Sequence, residues 1–378
     1  MNIFGETSNS TFLYQNCDEL KKCFFELKEA RDVANLLEVR FSRLKYHISI
    51  VPESKRYVDF VIPKKSGKAR TISAPCTPLK IIQTKLSQVL YSVYEPKSSV
   101  HGFVPTKSIV TNAKIHARKR YVLNIDIKDF FHSIHFGRVQ GIFMKPPYNR
   151  PKEVAMVLAK ICCHMGRLPQ GAPTSPIVSN MICARMDSEL RRLVKESKCT
   201  YYTRYADDIT FSTTLSNLPE ELVRLEKDDK LQVVLGDKLK SIIQTNGFEI
   251  NQDKIRLQNR IQHQEVTGLT VNKFPNVKRS FVREISCMLH AWDKFELESA
   301  SQKYREKREY NLKESGYILP KFKEIPEFKD VLRGKINFLG MVRGKDNQTY
   351  LTYLKWFREL SKRERESSQE VADGNALD

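Results

Sequence analysis

Residues 200–212 read TYYTRYADDITFS, and residues 121–127 read YVLNIDI. The first stretch is two short runs of β-branched and aromatic residues broken at Ala206-Asp207-Asp208, the pattern of a tight hairpin. The second is continuously apolar up to Asp126, the pattern of a buried strand. Together they bring three carboxylates, Asp126, Asp207 and Asp208, to strand ends. An isolated Asp-Asp is ordinary turn chemistry. Carboxylates gathered at the ends of buried strands are costly unless a positive partner neutralises them. A divalent cation held through oxygen suits that need. Two such ions roughly 3.5–4 Å apart would serve phosphoryl transfer, one activating a hydroxyl and the other stabilising a departing oxygen.

Working outward, helical spacing of Leu20, Phe24, Phe25, Leu27, Ala34, Leu36 and Leu37 predicts a helix over 17–48. RYVDFVIPKKSGKARTISAP (56–75) predicts two strands joined by a Lys- and Gly-rich turn at 64–68. Helices follow over TPLKIIQTKLSQVLYSVY, over SIVTNAKIHARKR and near 151–163. GRLPQGAPTSP (166–176) is a loop, closing on a hydroxyl and a Pro that can start a helix over 177–195. A charged helix is expected over 219–245, then a strand pair around EVTGLTVN. Residues 276–365 hold 21 Lys+Arg against 13 Asp+Glu, with one clear amphipathic helix through Phe281, Ile285, Met288, Trp292 and Phe295. The last thirteen residues, ESSQEVADGNALD, carry four acids and no base, the composition of a disordered tail.

The chain has 378 residues, with 64 Lys+Arg against 44 Asp+Glu, a net charge of +20. That balance points to a polyanionic partner, nucleic acid or an acidic membrane face. The length predicts two or three subdomains. No apolar run approaches the ~18 residues needed to span a bilayer. The opening MNIFGETSNSTFLYQN lacks the basic start and apolar stretch of a secretory signal. The eight Cys never form Cys-x-x-Cys and no His cluster accompanies them, which argues for reduced thiols in the cytoplasm and against a thiolate zinc site. No internal repeat is present.

Five motifs occur in a fixed order: IPKKSGKARTISAP with LKIIQ, LNIDIKDFFHSI, LPQG followed by APTSP, YTRYADDITFS, and NGFEINQDKI. In that order they resemble the fingers and palm motifs of reverse transcriptases. Two further signatures, Asn112-Ala113-Lys114-Ile115-His116 and Val266-Thr267-Gly268, resemble elements of bacterial retron reverse transcriptases. No maturase, endonuclease or integrase segment is recognisable, which disfavours the group II intron relatives.

The resemblance implies an α+β right-hand polymerase with fingers, a palm of antiparallel sheet plus helices, and a helical thumb. The expected division is an N-terminal helical extension over 1–50, fingers over 51–120, and palm with part of the fingers over 121–275. A basic, RNA-binding thumb follows over 276–365, and an acidic tail over 366–378. Asp126, Asp207 and Asp208 are the expected catalytic carboxylates. With the carbonyl of Ile127 they would hold two Mg²⁺ ions, Mn²⁺ being a substitute. Asp129 is expected to start the following helix instead. Lys68, Arg70, Phe131, Gln170, Gly171 and Lys254 are expected around the nucleotide. Phe131 is the steric gate beneath the sugar, although either it or Phe130 could be core. Tyr205, Val266, Thr267 and Gly268 are expected near the primer. Asn112 and His116, on one helical face, are expected to be structural or RNA-contacting.

As a retron enzyme the chain would use a cognate structured noncoding RNA as template and as 2′-OH primer. From dNTPs it would make multicopy single-stranded DNA, a branched RNA–DNA. The resemblance further implies an antiphage defence complex with a separate effector protein, and no membrane. The alternatives are a reverse transcriptase of another class, diversity-generating or CRISPR-associated, or a non-catalytic RNA-binding protein.

Overall fold

The computed structural model describes residues 10–63, 69–196, 200–227, 231–314 and 325–374. They fall into two compact units, one of the described residues up to Ile62 and from Ala69 to Gln262, the other of Pro63 and the described residues from His263 on.

The first unit opens with α1 (Cys17–Glu26), α2 (Ala30–Leu36), α3 (Phe41–Lys45), a π-helical turn at Tyr46–Ile50 and α4 (Glu53–Arg56). The single helix expected over 17–48 is therefore broken. Asp32 caps a new start by accepting from the Lys28 and Glu29 amides, and Glu38, at φ +51°, turns the chain again. Strands β1 (Tyr57–Pro63) and β2 (Ala69–Pro75) pair as expected, followed by α5 (Thr77–Val93) and α6 (Ile109–Ile115).

Strand β3 (Tyr121–Asp126) is the third strand of an antiparallel sheet ordered β4-β5-β3-β8, with β4 (Thr200–Tyr205), β5 (Asp208–Thr213) and β8 (Arg256–Asn259). The helices α7 (Phe136–Met144), α8 (Lys152–Cys162) and α9 (Ser175–Glu196) lie between β3 and β4 in sequence. Asp129 does not start α7. It sits at φ +45° in a turn where its carbonyl accepts from the Ser133 amide. The charged helix expected over 219–245 is a hairpin, β6 (Val223–Lys227) and β7 (Leu231–Leu235), followed by the shorter α10 (Asp237–Thr245). One apolar core joins the N-terminal helices to the sheet, with Phe24, Leu86, Leu123, Phe143, Ile177 and Phe211 among its members.

The second unit contains the short hairpin β9 (Glu265–Val266) and β10 (Leu269–Thr270), then α11 (Arg279–Glu314), α12 (Phe328–Arg343) and α13 (Gln348–Gly374). Trp292 meets Phe328 and Phe357 edge-on, which ties the three helices together around buried Ile285, Leu289, Leu332 and Ile336. The amphipathic stripe read in the sequence is the inner face of α11, except that Phe295 is exposed. The segment assigned to a disordered tail from residue 366 is helical to Gly374. Among the described residues no helix is long and apolar enough to cross a membrane.

One face of the sheet holds a polar interior away from the strand ends. His116 is fully buried, with Nδ1 2.7 Å from Ser212 Oγ and Nε2 2.7 Å from Thr203 Oγ1. Each hydroxyl can donate or accept, so the pair satisfies both ring nitrogens in either tautomer. Burial, reinforced by His101 and Lys119, pushes the His116 pKa down to about 3. Protonation then favours the unfolded chain, and stability is lost as pH falls from about 6.5 toward 3, by roughly 1.4 kcal/mol per pH unit within that window. Replacing His116 with Asn should lower stability at pH 7 and flatten the decline of the unfolding midpoint between pH 7 and 5. A decline as steep as that of the wild type would refute the assignment.

Candidate active site

The antiparallel register of β3 and β5 sets Asp126 directly opposite Asp208. Asp207 occupies the turn just before β5, and its carbonyl accepts from the Ile127 amide at 3.1 Å. Beyond the end of β3 a third segment runs alongside. The Lys128 amide donates to the Glu249 carbonyl at 2.8 Å, Ile127 pairs with Ile250, and the Asn251 amide donates to the Asp126 carbonyl at 2.9 Å. A 3-10 turn at Gln252–Lys254 then carries Lys254 back over the strand end, its Nζ 2.8 Å from Asp126 Oδ2. Asn251 Nδ2 lies 3.4 Å from the other carboxylate oxygen.

Charges of one sign crowd this place. Burial, then the neighbouring Asp126 charge, raises the Asp207 pKa, while Lys254 and Arg70 pull it back. Asp208 is pushed up to about 6 by loss of surrounding water and by Asp207 and Asp126, against Lys254 and Arg256. Its side chain reaches solvent, so part of that penalty is screened, yet the protein around it displaces much of the water.

The donor set is hard oxygen at the ends of paired strands, which fits Mg²⁺ or Mn²⁺. Among the described residues no three acidic, His or Cys side chains already converge as a closed cage. Instead the Lys254 ammonium sits on Asp126 as a stand-in cation, and Asp207 and Asp208 are only partly compensated. Asp126, Asp207 and Asp208 are the side chains that would hold a metal, with the Ile127 backbone beside them.

On the substrate side, Phe130 is buried and stacks on Phe248, whereas Phe131 is half-buried and faces Phe103 at 6.1 Å. Of the pair left open by the sequence, Phe130 is the core residue. Gly171, at φ +131°, lies where a Cβ would come 2.7 Å from the Ser73 carbonyl oxygen, and the Gln170 carbonyl accepts from the Ser73 amide at 2.9 Å. The LPQG loop is thus docked on β2, the strand that carries exposed Arg70. Ser175 Oγ donates to the Pro169 carbonyl at 2.6 Å and closes the loop onto the start of α9. Lys68 lies outside the described residues. Tyr205 is half-buried, and its backbone is pressed by Gly102, where a Cβ would come 2.4 Å from the Ala206 nitrogen.

One expectation is narrowed. Asn112 and His116 are 1% and 0% exposed, which leaves no surface for RNA and selects the structural reading, and His116 braces β4 against β5. In the second unit, Val266 is buried, and Thr267 and Gly268 are the two central residues of the β9–β10 turn at φ +47° and +82°. A Cβ on Gly268 would meet nothing within 4 Å, so backbone conformation, rather than close approach, calls for glycine there. Asn251 and Gly102 were not singled out in the sequence. Asn251 lies inside the quoted NGFEINQDKI motif, while nothing local marks Gly102.

In chelator, the contribution of Asp208 to stability should fall as pH rises from about 4 through about 6, opposite in sign to that of His116, because the fold favours the neutral form of Asp208. Replacing Asp208 with Asn removes that contribution. Its metal-free unfolding midpoint should exceed the wild-type value at pH 7.5, with the gap closing near pH 4. A wild-type midpoint equal or higher at pH 7.5 would contradict this electrostatic account.

Residues 62–273 match the family model described as reverse transcriptase (RNA-dependent DNA polymerase). The retron Mx65 reverse transcriptase of Myxococcus xanthus is 36% identical over 279 residues, covering 68% of this chain and 62% of its own length. The retron Mx162 enzyme of the same organism is 32% identical over 290 residues, covering 70% and 59%. The retron Ec86 reverse transcriptase of Escherichia coli is 34% identical over 241 residues, covering 62% and 69%. The chain thus spans about three fifths of the length of the two Myxococcus relatives. The chain belongs to the reverse transcriptases, among those of retrons, and its fold is of that family's α+β right-hand class.

Proposed function

We propose that the chain is an RNA-directed DNA polymerase that copies a cognate structured noncoding RNA into multicopy single-stranded DNA. The observation that carries this reading is the placement of Asp126, Asp207 and Asp208 at the ends of two paired strands in a chain of this family. A primer hydroxyl attacks the α-phosphate of a dNTP. The new O–P bond forms as the α–β phosphate bond breaks and pyrophosphate leaves. Asp126, Asp207, Asp208 and the Ile127 carbonyl would hold two Mg²⁺ ions, or Mn²⁺. Bound there, these would supply a lowered pKa for the attacking hydroxyl and charge compensation for the leaving group.

The protein's own groups orient the reaction. Arg70 and Lys68 take triphosphate oxygens, the former through a fork and the latter as a point charge. Lys254 neutralises or protonates the departing pyrophosphate. Phe131 packs beneath the deoxyribose and clashes with a 2′-hydroxyl, and Gln170 and Gly171 line the pocket for the nucleotide and its template base. Tyr205 packs at the primer end, and the Val266-Thr267-Gly268 turn contacts the primer strand through its backbone. The basic helices of 276–365 hold the RNA through phosphate contacts and stacking.

In the retron reading a guanosine 2′-OH of the same RNA starts synthesis, which gives a branched RNA–DNA. The product and a separate effector protein would form one defence complex in the cytoplasm, with no membrane involved.

Expression of the chain with its upstream intergenic region should yield a small DNA that shortens with RNase and carries a 2′ branch. Asp207→Asn should lower it at least about 10²-fold. Synthesis only on a generic primed RNA would discard the retron reading and leave a reverse transcriptase of another class. RNA binding without any synthesis would favour a non-catalytic RNA-binding role. On a primed RNA template, Phe131→Ala should raise ribonucleotide use relative to dNTP at least about 10-fold, since one lost steric clash is worth that much in discrimination. An unchanged ratio would remove Phe131 from the gate.

A further inference from the structure

We propose that Arg204 is a positioning residue for the carboxylate turn, fixing Ala206 so that Asp207 and Asp208 face a metal; this rests on the reading of those two carboxylates as metal ligands. Arg204 lies on β4, one residue before Tyr205, and is wholly buried. Alternation along the strand sends its side chain to the opposite face from Tyr205. There Nε and Nη2 each donate at 2.8 Å to the two oxygens of Asp187, itself fully buried on α9. Nη2 also reaches Asn180 Oδ1 at 3.1 Å, and Tyr202 Oη donates to Asp187 at 2.6 Å.

A buried ion pair alone is weak ground for any role, because an apolar pair of similar volume is often as stable. The remaining arm of the fork distinguishes this one. Nη1 donates at 3.1 Å to the carbonyl of Ala206. Ala206 is the turn residue immediately before Asp207 and adopts φ +58°, a left-handed conformation that non-glycine residues hold only when their surroundings enforce it. The opposite wall is tied into the same network. Asn180 Nδ2 donates to the Gly102 carbonyl at 2.9 Å, and Gly102 leaves no room for a side chain against the Ala206 nitrogen. One planar, permanently charged group thus links the rigid helix α9 to the backbone that sets the direction of two carboxylates. Lysine, a point charge, cannot serve Asp187 and Ala206 in the same geometry.

The test uses the full chain with Arg204→Met, Asp187→Leu and Tyr202→Phe combined, so that no buried charge is left unpaired. The metal-free unfolding midpoint should stay near the wild-type value. The rise in midpoint on adding Mn²⁺ should shrink to less than about half, because weaker binding stabilises less. On oligo(dT)-primed poly(rA), kcat should fall about 10–100-fold, as expected for reacting groups misplaced by about 1 Å, with KM for dTTP little changed. A folded triple variant with wild-type Mn²⁺ response and kcat would overturn the proposal and leave Arg204 a core ion pair. If the triple variant does not fold, Arg204→Lys decides. A smaller loss in the same two readouts supports the proposal, and wild-type values refute it. An Asp207→Asn protein that keeps both wild-type kcat and wild-type Mn²⁺ response would instead remove the metal reading beneath it.

Discussion

Antiparallel pairing of Tyr121–Asp126 with Asp208–Thr213 forces two carboxylates to face each other at the end of a sheet, with a third in the adjoining turn. Like charges so placed destabilise the fold unless cations relieve them. The surrounding structure answers this one constraint. The segment from Glu249 to Lys254 is hydrogen-bonded along the end of β3, which delivers an ammonium to Asp126. Arg70 and Arg256 act on the same carboxylates from β2 and β8. The relief is incomplete, since both Asp207 and Asp208 remain raised. Folded-state energy is given up at this site, the usual mark of a place that awaits a ligand.

Positive charge elsewhere has a different logic. The chain carries an excess of +20, and the described aromatic rings of the second unit divide between core and surface. Trp292, Phe328 and Phe357 form its core, whereas Tyr310 is exposed. Among the described residues of the first unit, buried charge is used sparingly, in the Arg204–Asp187 pair, the partly covered Lys85–Glu38 pair and Asp126 with Lys254.

The parts legible in the sequence were those whose signal is local. YVLNID could only be a buried strand, and the Ala206-Asp207 break between two β-rich runs could only be a tight connection. The helices at 77–93, 152–162 and 175–196 followed from apolar spacing and Pro placement. What was not legible depended on distant partners. The polar stretch from 219 reads as a charged helix until residues 223–235 are seen to pair with one another. The Asn112/His116 pair shares a helical face, but only the hydroxyls of Thr203 and Ser212, some ninety residues on, make that face internal. Arg204 looks like one more surface cation until Asp187 is brought beneath it. Gly102 gains meaning only from the turn it touches.

The central claim is that these carboxylates form one metal site, and anomalous scattering from crystals grown with Mn²⁺ tests it most directly. The account predicts a peak within about 2.0–2.3 Å of oxygens from both Asp126 and Asp207, as expected for a hard divalent ion. It also predicts that the Lys254 ammonium has moved off Asp126. Crystals that show no peak there at saturating Mn²⁺, with Lys254 still bound to Asp126, would contradict it.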